Sequence, residues 1–216
     1  MKSWLFNVWK ENKSFCLFIV LMVVFRSSFA DWNEVPTGSM KPTILEGDRI
    51  LVNKMAYDIR LPLTHISLYK VADPARGDII IFDSAVAKKK LVKRVIGVPG
   101  DTIALRNNVL YINDKQLSYQ AVASDGYTID KSENLFGIEH LIRTNKHSSS
   151  FSNLNRILVP EGYYLALGDN RDNSADSRVI GLIPRKEIVG RTKSVVLSFN
   201  YDNYYLPRND RFLHAL

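Results

Sequence analysis

The chain has 216 residues, 46% of them apolar, and its 29 Lys plus Arg against 22 Asp plus Glu give a formal charge of +7. That length is one domain of ordinary size, or one with a small insertion, and the apolar share excludes wholesale disorder. A single cysteine, Cys16, excludes an internal disulfide framework and a cysteine-based zinc site, whereas the positive balance fits nucleic acid, an anionic membrane or plain solubility equally.

Residues 1–30 carry Lys2, Lys10, Lys13 and Arg26 against Glu11, so +3 belongs to this end and +4 to the remainder. Trp4, Trp9 and Trp32 bracket an uncharged apolar run from Phe15 to Phe25, and tryptophan favours the membrane–water boundary. Eleven helical residues span only about 16 Å of a roughly 30 Å hydrocarbon layer. Ser14 to Ala30 gives 17 residues if Arg26 snorkels outward. The expectation is a short cytoplasmic segment 1–13, a membrane anchor over 14–30, and an exported body over 31–216, because lysines before the run hold the N-terminus inside. The same features, ending in Ser28-Phe29-Ala30, also describe a cleavable secretory signal. A buried core helix suits the length but leaves the flanking lysines and tryptophans unexplained.

Past residue 30 the pattern becomes short strands between Gly, Pro and Asx turns. Gly47-Asp48, Gly77-Asp78 and Gly100-Asp101 each precede an apolar stretch, predicting strands at 50–52, 79–82 and 103–105. Further strands are expected at 91–98, 109–112, 163–167 and 188–197, with Asn107-Asn108 as a hairpin turn. The segment 113–156 is polar, with turn or loop signals at Asp125-Gly126 and Ser148-Ser149-Ser150, and reads as a peripheral insertion with loops.

Three clusters carry candidate chemistry: residues 36–43 around Ser39, residues 93–101 beginning Lys93-Arg94, and residues 168–178, rich in carboxylates, amides and arginines. A serine nucleophile needs a base. None of His65, His140, His147 and His214 lies in a recognisable motif, and Ser39 lacks the Gly-x-Ser-x-Gly elbow. A lysine can serve if it is neutral, which at pH 7 costs about 4.6 kcal/mol, and burial can supply that shift where no carboxylate touches the amine. Lys93, in a strand with Leu91 and Val95 on its face, fits this requirement. Lys41, two residues from Ser39, is the competing base in a polar Pro-flanked turn, and Lys88, Lys89 and Lys90 read as a solvated turn. The third cluster is not a calcium loop, since Ser174 stands where the turn wants Gly and Ile180 where a bidentate Glu belongs.

In this order the clusters resemble the boxes of the bacterial type I signal peptidases, membrane-anchored serine proteases with a Ser/Lys dyad. The matching motifs are Ser-Met-x-Pro-Thr, Lys-Arg-Val-Ile-Gly-x-Pro-Gly-Asp and Gly-Asp-Asn-Arg-Asp-Asn-Ser-x-Asp-Ser-Arg, and Arg76 to Phe82 matches a fourth segment. The resemblance implies a mainly β catalytic domain with a small peripheral insertion, behind one N-terminal transmembrane helix. It implies Ser39 as nucleophile, Lys93 as general base, and an oxyanion hole from the Ser39 N–H and Thr37. Ser174 matches the serine that orients the lysine amine. Asp169, Arg171, Asp176 and Arg178, with Arg94, match a supporting salt-bridge network, and Met40, Ile44, Leu91 and Val92 match positions near pockets for small residues. Implied partners are signal peptides of exported preproteins and membrane lipid, with no nucleic acid, no metal and no cofactor, for a monomer in the inner membrane with its catalytic domain outside. The family includes peptidases dedicated to pilins, so a narrower client list is a second reading. A noncatalytic peptide-binding module and a nucleic-acid binder using Lys88 to Arg94 are the rival classes.

Overall fold

A computed structural model describes residues 2–64, 66–147 and 149–216, with side chains from residue 12 onward. The expectations for the side chains of Lys2, Trp4, Trp9, Lys10 and Glu11, and for His65 and Ser148, fall outside that set.

The chain begins with helix α1 (Lys2–Ser28) and then runs as strands β1 (Ala30–Glu34), β2 (Asp48–Asn53), β3 (Asp58–Arg60), β4 (Ser67–Lys70), β5 (Ile79–Ser84) and β6 (Lys89–Gly97). Next come β7 (Thr102–Arg106), β8 (Val109–Ile112), β9 (Lys115–Gln116), β10 (Ser118–Ser124), β11 (Thr128–Leu135), β12 (Ile138–Asn145), β13 (Leu154–Leu158) and β14 (Tyr163–Leu167). A one-turn helix α2 (Ser177–Ile180) precedes β15 (Ile183–Pro184), β16 (Ile188–Asn200), β17 (Leu206–Pro207) and β18 (His214–Ala215). The fold is mainly β, as the sequence predicts.

The largest sheet has the order β1-β2-β16-β5-β6-β14-β15, with β17 and β18 added against β16. Its β5–β6 pairing sets Ile80 opposite Lys93 and Ile79 opposite Arg94. The strands predicted at 109–112 and 163–167 occur with those bounds. The Gly-Asp turns behave as expected, with Gly47, Gly77 and Gly100 all near φ +88°, a region open to glycine at little cost. Asn107 and Asn108 also have positive φ between β7 and β8, as a two-residue hairpin turn requires.

Two expectations are corrected. Lys89 and Lys90 lie in β6 rather than in the turn, which retains only Lys88. The segment 113–156 is strand rather than loop: β10, β11 and β12 form a three-stranded sheet, and β13 joins β7, β8 and β9 in a four-stranded one. On β12 the inward positions are His140, Ile142 and Thr144, and on β11 Glu133 and Leu135 are fully buried. Half-polar inward faces hide the period of two on which strand reading depends.

Helix α1 ends at Ser28, and Ala30 already belongs to β1, so the span expected over 14–30 stops two residues early. Arg26 reaches past the end of the helix. It donates to Asp31 Oδ1 from Nε at 3.0 Å and from Nη2 at 2.6 Å, and it lies 4.3 Å over the Trp32 ring. Lys54 closes the joint by donating to the Arg26 carbonyl at 2.7 Å. Among the described residues no helix is long and apolar enough to cross a membrane. Most of the large apolar side chains of the run Phe15 to Phe25 are nevertheless exposed.

Candidate active site

Ser39 sits in a 3-10 turn, Gly38–Met40, that follows β1. Its position depends on what packs behind it. Met40 is buried with Ile44, Ile50, Ile79 and Val195, which pins the turn to the main sheet. A Cβ at Gly168 would overlap both the Ser39 carbonyl oxygen and Ser174 Oγ, so only glycine allows the loop after β14 to come this close.

Lys93 enters from β6 and is 2% exposed. Its Nζ donates to Ser39 Oγ at 2.7 Å and to the Val92 carbonyl at 2.8 Å. Burial brings its pKa down to about 8, against the opposing attraction of Asp176 and Asp169; Lys89 and Arg178 push it further down. No carboxylate touches the amine among the described residues. Desolvation without a counter-ion is the condition that favours a neutral lysine. Lys41, the competing base, donates to Glu46 Oε2 at 3.1 Å and remains partly exposed, and no hydrogen bond joins it to Ser39 among the described residues. Of the described histidines, His140 lies buried beside Glu133 and His147 and His214 are exposed; none bonds Ser39.

Ser39 and Lys93 open on a groove of about 400 Å³, lined also by residues 33–37, Met40 and residues 89–92. Met40, Leu91 and Val92 line this groove. Ile44 does not: its N–H bonds the Met40 carbonyl at 2.9 Å and its side chain is fully buried in the core. Thr37 lies exposed at the groove with its side chain unused by the turn it precedes. The Ser39 N–H is in the first turn of a short helix, where geometry supplies no internal acceptor.

The expected salt-bridge network resolves into separate pairs. Arg94 forks onto Asp169 at 2.9 and 2.8 Å and also reaches the Gly77 carbonyl, and Thr43 donates to Asp169 Oδ2 at 2.6 Å. Burial alone would raise the Asp169 pKa, but Arg94 holds it below the usual carboxylate range. Arg178 forks onto Asp176 at 2.8 and 2.6 Å, and Asp176 also accepts the Gly168 N–H at 2.9 Å. Arg171 turns away from both and donates to the two oxygens of Glu133, 2.9 Å to Oε2. The Ser174 hydroxyl is buried without a partner, so the expected contact with the lysine amine is not made.

Sequence reasoning missed Glu133, whose role depends on a sheet read as loop, and Asn170, which stood inside the third cluster without an assignment. The third cluster gave no charge signal for Glu133, because Asp169, Asp172 and Asp176 already outnumber Arg171 and Arg178 there.

A serine hydroxyl beside a buried amine of lowered pKa, open to an apolar groove on a β scaffold, belongs to the class of serine-type peptidases. The profile of the family described as signal peptidase, peptidase S26, matches residues 8–197. The chain is 36% identical over 204 residues to signal peptidase I of Pseudomonas aeruginosa, covering 87% of this chain and 72% of that one. To signal peptidase I of Rickettsia bellii it is 33% identical over 213 residues, 88% and 73% of the two chains. A crystal structure of signal peptidase I from Enterococcus faecalis is 30% identical and covers 56% of this chain and 98% of that one, with a TM-score of 0.37. The chain thus belongs to the signal peptidase family, peptidase S26, and is a serine-type peptidase.

Proposed function

We propose that this chain removes signal peptides from exported preproteins by cutting after small-x-small sites, with Ser39 as nucleophile and Lys93 as general base. The observation that carries the reading is the 2.7 Å approach of Ser39 Oγ to a buried amine with a pKa near 8. With the amine neutral, the hydrogen bond reverses and the hydroxyl donates to Nζ. Oγ then attacks the scissile carbonyl carbon as its proton passes to Nζ, and the carbonyl electron pair moves onto oxygen. The Ser39 N–H and the Thr37 hydroxyl receive that oxyanion. Collapse breaks the C–N bond, and the Lys93 ammonium gives its proton to the departing amine. Water next attacks the Ser39 ester, handing a proton to Lys93, which returns it to Oγ as the acid leaves. No step calls for a metal or cofactor.

The shallow apolar lining from Met40, Leu91 and Val92 suits small side chains before the cut. Arg94 with Asp169 and Arg178 with Asp176 hold the wall behind the dyad, and Arg171 holds it from the insertion side. Ser174, buried with an unused hydroxyl, can accept from the ammonium formed during attack. The exposed apolar run of α1 and Trp32 hold the body, as a monomer, at the outer face of a bacterial inner membrane, where emerging signal peptides lie. A role confined to pilin precursors uses the same chemistry on fewer clients.

The test is cleavage of a preprotein whose signal ends in Ala-x-Ala. Ser39→Ala and Lys93→Ala should both abolish it while the proteins stay folded, and full activity in either would sink the dyad. Purified protein that binds signal peptides but never cuts them would instead favour the binding-module reading.

A further inference from the structure

Asn170 is buried directly behind the Gly38–Met40 turn, and it grips that turn twice. Its side-chain Nδ2 donates to the Gly38 carbonyl at 2.9 Å, and its backbone N–H donates to the Ser39 carbonyl at 3.1 Å. The acceptor at the first contact is a carbonyl oxygen, so only the amide nitrogen of Asn170 can face it. The Gly38 carbonyl and the Ser39 N–H belong to one planar trans peptide, so they point in opposite directions. Fixing the oxygen therefore fixes the N–H.

We propose that Asn170 positions the oxyanion hole: by clamping the Gly38 carbonyl it sets the Gly38–Ser39 peptide plane and aims the Ser39 N–H at the groove. A single 3-10 turn has few hydrogen bonds of its own and poor bond geometry, so this plane needs an outside hold. Among the described residues the other donor to that oxygen is the Lys41 N–H at 3.1 Å, from the end of the same turn.

Asn170 is itself held. It forms a parallel bridge with Arg143 of β12, flanked by Arg143 N–H to the Asp169 carbonyl and Arg171 N–H to the Arg143 carbonyl, each 2.8 Å. The next residue, Arg171, is locked onto Glu133 of β11. The three-stranded sheet is thereby connected to the position of a single N–H some distance away in sequence. Asn170 does not line the groove, and the Lys93 amine bonds Ser39 and the Val92 carbonyl instead, so the role of Asn170 is positional and leaves the proton chemistry of the dyad alone.

The inference rests on the reading of Ser39 as nucleophile, and the experiment separates the two. Full-length Asn170→Ala and Asn170→Leu, the second keeping the side-chain volume, are assayed on the same preprotein. The expected result is a fall in kcat of roughly 10- to 100-fold with KM within about twofold, since a displaced oxyanion donor costs transition-state binding alone. A peptide aldehyde forms a hemiacetal on Ser39 and places its oxygen in the hole, so its affinity falls by the same factor as kcat/KM. Affinity for the noncovalent product peptide and the basic limb of the pH profile stay unchanged. Unaltered kcat, unaltered aldehyde affinity, a moved pH limb, or unfolding of both variants would each overturn the proposal. Cleavage surviving in Ser39→Ala removes the underlying reading instead; a dead Ser39→Ala beside fully active Asn170 variants removes only this one.

Discussion

Lys93 and Arg171 are both cations buried to within 2% of completely, yet the protein treats them in opposite ways. Arg171 meets a carboxylate, Glu133, which is buried with it and which also accepts the Tyr119 hydroxyl at 2.6 Å. Burial alone would raise the Glu133 pKa and lower that of Arg171, but each charge holds the other, so Glu133 stays well below and Arg171 well above its ordinary value. Lys93 meets a hydroxyl and a carbonyl, with its nearest acids committed to arginines of their own. Carboxylates can stand near a buried lysine without pairing with it, provided that each is already occupied. What separates the paired cation from the proposed base is the partner at contact distance, not the depth of burial.

Substitutions sharpen that contrast, beginning with the largest effect. Lys93→Arg keeps a charge that cannot be lost, and kcat/KM should fall by at least about 10²- to 10⁴-fold, the range attached to a general base, as measured on a preprotein. Arg171→Met leaves Glu133 buried without its arginine, beside the Tyr119 hydroxyl and His140, which should cost about 3–5 kcal/mol in denaturant unfolding. Replacing Glu133 by Leu in the same chain should recover most of it.

Lys93→Met should move the other way and gain roughly 2–3 kcal/mol at pH 7, because it removes a cation that folding desolvates. The folded lysine pKa of about 8 lies below its unfolded 10.5, so the folded chain binds the proton more weakly. Wild-type stability should rise as pH climbs through that window and fall back as pH drops through 8. The Lys93→Met advantage should therefore shrink to nothing above about pH 10.5. Equal destabilisation in the lysine and arginine variants would break the comparison. The smallest change belongs to Ser174→Ala, which removes a hydroxyl with no partner and should alter stability by under about 1 kcal/mol.

These two sites were also unequally legible in the sequence. Strands such as Val109–Ile112 and Tyr163–Leu167 announce themselves through short β-favouring runs between glycine or asparagine turns. For Ser39 and Lys93, the apolar strand neighbours favoured Lys93 over Lys41 as a neutral lysine, and the resemblance of the two motifs supplied the pairing. The Arg171 site was not legible, since its carboxylate comes from β11, whose buried positions include charge and therefore lack the alternation of a half-buried strand. The partners of Arg26 were hidden for a related reason. Asp31 and Trp32 lie past the end of the helix, and no helical spacing brings them to mind. Ile44 looked like a pocket residue beside Ser39, but the turn that closes onto Met40 rotates it into the core.

The central claim is that Lys93 works as a neutral amine because burial lowers its pKa to about 8, and the pH dependence of kcat/KM tests it most directly. The account predicts a single ascending basic limb with a midpoint near 8, absent from any residual activity of Lys93→Ala. A limb near the ordinary histidine value, or a limb that persists after Lys93 is replaced, would contradict it.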